Sequence, residues 1–393
     1  MLLQNITLSI LMESPFQYTQ PVTGDCFIGR NKEINAICSM IKERNNILLI
    51  GASKSGKQSL MINAFERLKS DNYQFQVINF NLFNIRCVEA FLMRYANLIF
   101  SANIRTQLDW LTYKEKFIPT APYNITTDSE GKCSFRYKTK ELLTTLQIEE
   151  LLELPQKFAM ERGLHVIIYF RNFQDLLLLE DAQHFLKVTD NSWRKQKNVN
   201  YVISGDHYNA MNEIFHQRKQ YYGFAKEFKL DTIAPGQFTE FLVKSFLKSG
   251  KVIQPDTALK LYNTVGRNPY YAQQLASICF NLTRGYISEN ILQEGLNALI
   301  SIYEFRFHYI ICGLSRHQLR FLQAVMSGVT KFSSVDILEQ YKLNSSANVN
   351  RVREALTKKE IISFNEKREG KITDPLFEYW LRKHFFTKSF FKA

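Results

Sequence analysis

No apolar run in this chain approaches the ~18–20 residues that cross a membrane, and no C-x-x-C pair is present. Six cysteines (Cys26, Cys38, Cys87, Cys133, Cys279, Cys312) are scattered along it. Neither a disulfide framework nor a zinc site can be read from that spacing, which points to a reducing compartment. The seven histidines (His165, His184, His207, His216, His308, His317, His384) show no metal-ligand spacing and suggest no Ser-His-Asp or Cys-His arrangement. The opening stretch Met1–Met12 is mildly apolar but lacks a basic leader, which argues against a signal peptide. Met12 is the expected native start, because the recognisable pattern begins just after it. Together these absences predict a cytoplasmic chain with no membrane partner.

What is present is ordinary in bulk. At 393 residues the length suggests roughly two to three domains. With 45% hydrophobic and 22% charged residues there is ample material for a core. The 31 Phe and 19 Tyr are a high load to which no function attaches by itself. The net charge of +13 suggests a polyanionic partner or simply a solvated surface. Its location narrows the choice: residues 305–393 hold 16 of the 50 Lys/Arg but only 8 of the 37 Asp/Glu.

The most informative stretch is Gly51-Ala52-Ser53-Lys54-Ser55-Gly56-Lys57-Gln58-Ser59. It follows the apolar run Asn46–Gly51 and opens the apolar-periodic run Leu60–Leu68. Strand, glycine loop, helix is the context of a phosphate-binding loop. Glycines let backbone N–H groups curl around a phosphate chain, and the helix N-terminus adds partial positive charge. Lys57 is placed to reach the terminal phosphates of ATP or ADP. Gln58, however, stands where a Ser or Thr hydroxyl holds magnesium.

Alternating patterns continue downstream. A helix is expected from Asn31, its N-cap candidate, to Glu43. Strands are expected over Ile47–Ile50, Tyr73–Phe83, Leu164–Phe170, Val199–Gly205 and Lys226–Ile233, with helices at Val88–Phe100, Lys140–Arg162 (stopped by Gly163) and Ala182–Gln196. Strands alternating with helices imply a parallel sheet covered on both faces, with ligands at the carboxyl ends of the strands. Tyr123–Thr127 and Lys132–Tyr137 flank a turn and read as an inserted β-hairpin at about 117–137. After Pro235 the pattern is all-helical to Tyr303. Helices at Ser315–Ser327, Ser333–Tyr341 and Asn344–Lys359, then a hairpin from Ile361–Asn365 and Gly370–Thr373, spell a winged helix.

Eight strings, in order and spanning nearly the whole chain, are shared with one family: Ser14–Tyr18, Phe27-Ile28-Gly29-Arg30, Gly51–Leu60, Asn81–Arg86, Phe173-Gln174, Ile203–Gly205 with Met211–Phe215, Gly266–Tyr271 and Asp374–Leu381. The chain resembles the archaeal-type P-loop ATPases of the STAND/AAA+ branch, in the form common in Bacteroidetes-like genomes. The resemblance implies an α/β fold with an ASCE-type sheet ordered 5-1-4-3-2, a helical lid and a C-terminal winged helix. The expected divisions are an N-terminal segment 1–26, a P-loop domain 27–235, a lid 236–303, a winged helix 304–386 and a basic tail 387–393.

The departures from that family carry as much weight. Its members usually read Gly-Lys-Thr-Ser-Leu in the loop and Asp-Glu-Phe-Gln after the third strand; here Gln58, Arg171 and Asn172 replace the hydroxyl, the magnesium carboxylate and the water-activating Glu. A magnesium requirement is therefore open, and Asp206 after the fourth strand is the one candidate metal ligand, or else a loop cap. Asp175 and Asp181 lie further along and are weaker candidates. Arg171 pairs with a phosphate oxygen or turns to solvent. In the lid, the family's Gly-x-x-Pro implies a nucleotide contact from Arg267, while Pro269 alternatively only starts a helix. For nucleic acid, the candidates are Asn348, Asn350, Arg351, Arg353, Lys358 and Lys359 on the third helix of the winged helix and Lys367, Arg368 and Lys371 on its wing. The competing reading of that module is protein docking. The expected function is a nucleotide-dependent switch with weak or lost hydrolysis; the alternative is a DNA-binding or adaptor module on a relic ATPase scaffold.

Overall fold

A computed structural model describes residues 13–138, 142–217, 220–365 and 367–387. The stretch Met1–Met12, the start of the helix expected from Lys140, and the basic tail beyond Thr387 lie outside the described residues. The chain divides into two compact units. One comprises Asn31–Ser53 with Asn63–Leu230; the other comprises residues up to Arg30, Lys54–Ile62, and Asp231 onward.

The first unit is built on strands, of which the central ones read as apolar runs. The strands are β1 (Ile47–Ile50), β2 (Phe75–Asn81), the hairpin β3 (Tyr123–Thr127) and β4 (Cys133–Tyr137), β5 (His165–Arg171), β6 (Val199–Ser204) and β7 (Lys226–Lys229). Apart from the hairpin they form one parallel sheet ordered β2-β5-β6-β1-β7. With the hairpin set aside, this is the expected 5-1-4-3-2 order. The central strands β5 and β6 are buried almost throughout, whereas edge strand β7 is largely exposed and carries Lys226 and Lys229. Charge on an edge discourages pairing with other chains.

The aromatic load fills this core. Phe80, Phe91, Tyr95, Phe170, Trp193 and Tyr201 form a continuous cluster, with Phe170 and Tyr201 nearly parallel at 6.0 Å and Trp193 against Tyr201 at 4.7 Å. Such pairs add about 0.5–1.5 kcal/mol each beyond the area they bury. The hairpin is tied to the helix Val88–Asn103 by Asn97, whose side chain donates to the Phe135 carbonyl and accepts from its N–H.

Several expected boundaries move. The first helix starts at Asn31 itself, after Arg30 at φ 70°, so Asn31 is a helical residue rather than the cap. The helix expected over Lys140–Arg162 is two helices, Thr145–Leu152 and Leu154–Arg162, the second with Pro155 in its first turn; Gly163 ends it at φ 62°. A further helix, Gln107–Phe117, had no expectation.

In the second unit, helices Pro235–Lys248, Pro255–Thr264, Pro269–Leu282 and Glu289–Cys312 dominate. The stretch is not wholly helical: two-residue strands β8 (Val252–Ile253) and β9 (Tyr286–Ile287) pair in parallel. The N-terminal segment packs on these helices, with Phe16 against Phe246 at 4.7 Å and Phe241 at 6.1 Å. Beyond them come helices Arg316–Met326, Val335–Gln340 and Ser346–Lys358, then the antiparallel pair β10 (Ile362–Phe364) and β11 (Gly370–Ile372). A Cβ at Gly370 would sit 2.9 Å from the Phe364 ring, so the hairpin requires glycine there.

Candidate nucleotide site

The buried β1 runs into the glycine loop, and the helix Lys57–Ser70 leaves it. Lys54 and Gly56 both have positive φ, 61° and 90°, and Ser55 between them does not. Alternating backbone hands of this kind turn successive N–H groups toward one concavity, the nest that anions occupy. The first turn of the helix holds no acidic side chain to offset its positive end. Lys57 and Ser59 are 7% and 8% exposed; Gln58 is half-buried. Ser55 Oγ is buried with no hydrogen-bond partner. A buried hydroxyl of this kind carries a desolvation penalty until something bonds it, and a phosphate oxygen in the nest is such a partner. The residues present therefore fit a nucleotide's phosphates. Gly51, Ala52 and Ser53 form the loop's approach from β1. The Ser59 hydroxyl accepts from the Val22 N–H at 3.1 Å.

Lys54 does something the sequence did not suggest. Its ammonium lies over three tyrosine rings, 4.3 Å from the centroid of Tyr270, 4.7 Å from Tyr271 and 4.9 Å from Tyr303. The Tyr271 hydroxyl donates to Asp374 Oδ2 at 3.1 Å, and Arg306 donates to the same oxygen at 3.0 Å. Burial, with the Asp374 carboxylate alongside, raises the Tyr271 phenol pKa far above its ordinary value. Tyr271 is therefore a fixed proton donor in this bond. The Tyr303 hydroxyl donates to Gln274 at 2.8 Å.

The carboxyl edge of the sheet brings Gly51, Arg171–Asn172 and Gly205–Asp206 to neighbouring strand ends, since β6 lies between β1 and β5. Arg171 directs its Nε to Asn79 Oδ1 on β2 at 3.0 Å, on the side of β5 away from β1. Asn172 is left-handed (φ 54°, ψ 44°) and donates to Asn81 Oδ1 at 2.8 Å. Asn tolerates that conformation better than most residues. Asp206 is exposed, and its N–H donates to Gln174 Oε1 at 3.3 Å. A Cβ on Gly205 would fall 2.4 Å from Met211 Sδ and 2.6 Å from Gln174 Oε1. Two of the shared sequence strings thus meet at one point. Asp175 is buried, and burial raises its carboxyl pKa against the opposing Asn84 amide and the charges of His207 and Arg86. Among the described residues no group of three or more His, Cys, Asp or Glu is gathered that could hold a metal ion. Magnesium at nucleotide sites commonly takes only one or two protein carboxylates beside the phosphates, so that finding leaves Asp206 in play.

In the lid, Gly266 at φ 64° and Arg267 at φ 57° end the preceding helix, and Asn268 caps the next one, which begins at Pro269. Arg267 is exposed with its Nε on Asn263 Oδ1 at 2.8 Å.

Residues 305–383 match the profile of a probable winged helix domain. No curated protein sequence matches the chain. The Walker-type ATPase Paby2304 of Pyrococcus abyssi superposes with a TM-score of 0.65, covering 94% of this chain and 99% of its own at 14% identity. The ORC2 protein of Aeropyrum pernix in its ADPNP–ADP complexes gives 0.51, covering 89% and 92% at 12% identity. The fold is that of an archaeal-type P-loop ATPase with a C-terminal winged helix.

On the winged helix of this ATPase fold, the third helix buries Val349, Val352 and Leu356. Its exposed face carries Asn350, Arg351, Glu354 and Lys358. Asn348 is turned back, donating to the Leu343 carbonyl at 3.0 Å, and Arg353 lies over the Phe364 ring at 5.9 Å. Lys359 donates to the Gly313 carbonyl at 2.7 Å. Lys367, Arg368 and Lys371 are exposed on the wing, with Arg368 at φ 61° in its turn. Among the described residues no helix is long and apolar enough to cross a membrane.

Proposed function

We propose that this chain binds ATP or ADP through Gly51–Ser59 and works as a nucleotide-dependent switch of the STAND/AAA+ kind in the cytoplasm, with hydrolysis weak or lost. The observation that carries this reading is the buried, unpartnered Ser55 hydroxyl between two left-handed residues at the start of a helix with no acid in its first turn. Lys57 and the loop N–H groups would hold the phosphates, and a bound nucleotide would supply a polyanion whose presence or loss sets the state. Asp206 is the carboxylate that would meet magnesium if the site takes it.

Weak hydrolysis follows from the substitutions. Phosphoryl transfer depends on positioning and charge neutralisation, much of it by metal. Gln58 offers no hydroxyl, and Arg171 and Asn172 are bonded to Asn79 and Asn81. The likeness to an ORC2 protein in ADPNP–ADP complexes supports the nucleotide part of the reading. The test is a melting curve with ATP, ADP and magnesium varied separately. A ligand at 100 times its Kd adds roughly 2.7 kcal/mol, and Lys57→Ala should remove that gain. An unchanged melting temperature at millimolar nucleotide would sink the proposal.

A second reading rests on the exposed Arg351, Lys358, Lys367, Arg368 and Lys371. These support a DNA contact by the winged helix, with protein docking as the alternative if nucleic acid does not bind.

A further inference from the structure

The three-tyrosine cage belongs to neither reading, and it holds the ammonium of a glycine-loop residue, Lys54. Lys54 stands on a backbone at φ 61°, a conformation uncommon for residues other than glycine. Around its ammonium stand Tyr270 and Tyr271 from the start of one helix and Tyr303 from another, each with its ring centroid within 5 Å. Cations over aromatic faces are stabilised by the ring quadrupole, more so when partly desolvated. Tyr18 braces the cage from outside, edge-on to Tyr270 at 5.8 Å.

The cage is also wired outward. Tyr271 gives its hydroxyl proton to Asp374. That carboxylate takes Arg306 from the helix that supplies Tyr303, and its other oxygen accepts the N–H groups of Leu376 and Phe377 at 3.0 and 3.4 Å, capping the helix Pro375–Trp380. Behind it, Pro375 packs so closely on Gly266 that a Cβ there would lie 2.3 Å away. Three links therefore run from the glycine loop to the helix Pro375–Trp380: Lys54 to Tyr271, Tyr271 to Asp374, and Asp374 to the capped N-terminus.

We propose that Lys54 in its tyrosine cage is a charge latch, and that a nucleotide polyphosphate in the glycine loop draws Lys54 out of the cage and so loosens the Asp374 cap on the winged helix. This rests on nucleotide binding as read above and specifies its regulation. The tyrosine rings and a polyphosphate would compete for the Lys54 ammonium. A polyphosphate offers several full negative charges at the loop, where an ammonium forms charge-assisted hydrogen bonds; the rings offer only their quadrupoles. With the ammonium gone, Tyr271 loses the packing that aims its hydroxyl, and Asp374 loses one of its fixed partners.

Amide hydrogen exchange of residues 374–381 in the full chain tests this, comparing wild type, Lys54→Met and Lys54→Arg, each with and without ATP. Without nucleotide, Lys54→Met should exchange this segment roughly 5- to 10-fold faster than wild type, as expected for the loss of about one cation–π contact. Lys54→Arg, which keeps a cation for the cage, should stay near wild type. ATP should speed exchange in wild type and leave Lys54→Met unchanged. A Lys54→Met protein that exchanges like wild type without nucleotide, or that still responds to ATP, overturns the latch. Failure of wild type to bind ATP or ADP is a separate result: it removes the nucleotide reading, and the comparison without nucleotide still decides whether Lys54 holds the cap.

Discussion

Putting back the three missing groups, by Gln58→Thr, Arg171→Asp and Asn172→Glu together, is expected to raise ATP turnover and to weaken the protein at the same time. The cost can be worked from the geometry. Asn172 sits at φ 54°, ψ 44°, where residues other than Gly, Asn and Asp are disfavoured by about 1–2 kcal/mol. Glu at this position also gives up the Asn172–Asn81 bond at 2.8 Å, worth about 0.5–1.5 kcal/mol net. The Arg171–Asn79 bond lies near the surface and adds about 0.5 kcal/mol. The sum is about 2–4 kcal/mol, or a melting temperature lower by roughly 4–16 °C for a unit of this size. Asn172→Gly is the control: it accepts the backbone and loses only the bond, so it should cost about 1 kcal/mol. Thermal melts and phosphate-release assays on the same preparations read both effects. If the triple variant melts with wild type, the left-handed turn is not what selects Asn172. If wild type itself turns over at ~1 s⁻¹ or faster, as working phosphoryl-transfer enzymes do, the substituted positions do not disable the site and the switch reading loses its basis.

Three further outcomes are expected. His165 is buried between Tyr73 and Asn200, and burial first, then the charge of Arg44, lowers its pKa to about 4; the unfolded chain binds the proton first as pH falls, so stability present above about 6.5 is lost between there and about 4, by up to ~3 kcal/mol. Urea midpoints at several pH values check this, and His165→Gln should flatten the acid limb. Replacing Asp206 by Asn should abolish any magnesium effect on nucleotide affinity measured by titration calorimetry; a mutant with full magnesium dependence makes Asp206 only a loop residue. DNA binding by the full chain, followed by fluorescence anisotropy, should fall with salt at a log–log slope near −4 for four or five phosphate contacts. Substituting Arg351, Lys358 and Lys371 together should flatten that slope, and absence of binding at ~50 mM salt would favour protein docking.

The parallel sheet was legible because β1, β2, β5 and β6 are apolar-rich runs alternating with helices, while its 5-1-4-3-2 order came from the family resemblance. Strand ends were less so, for a physical reason. The run Tyr73–Phe83 outlasts β2 because Leu82 is buried just past the strand and bonds the Arg171 carbonyl through its N–H. Lys226–Ile233 likewise outlasts β7: Leu230 still bonds the Ile50 carbonyl, and Ile233 joins the core of the lid helices. The helix Gln107–Phe117 was not visible because its apolar residues are divided, Trp110 and Phe117 buried while Leu108 and Leu111 are exposed. On the winged helix, composition marked Asn348 and Arg353 as surface contacts, yet one closes a turn and the other covers Phe364. The tyrosine cage could not be read at all. Its tyrosines fall on strings noted for other reasons or on a helix noted for none, and nothing local links Lys54 to Tyr303.

That separation has a consequence during synthesis. Lys54 and Tyr303 are 249 positions apart in the chain. At ~5–20 residues per second on the ribosome, Lys54 emerges roughly 12–50 s before its third tyrosine. The unit containing Lys54–Ile62 is otherwise drawn largely from Asp231 onward, whereas the sheet unit has all its strands by Leu230. The nascent chain therefore carries a complete sheet while the second half of its glycine loop still waits for a home. A chain truncated between residues 271 and 303 would leave Lys54 with two of its three rings.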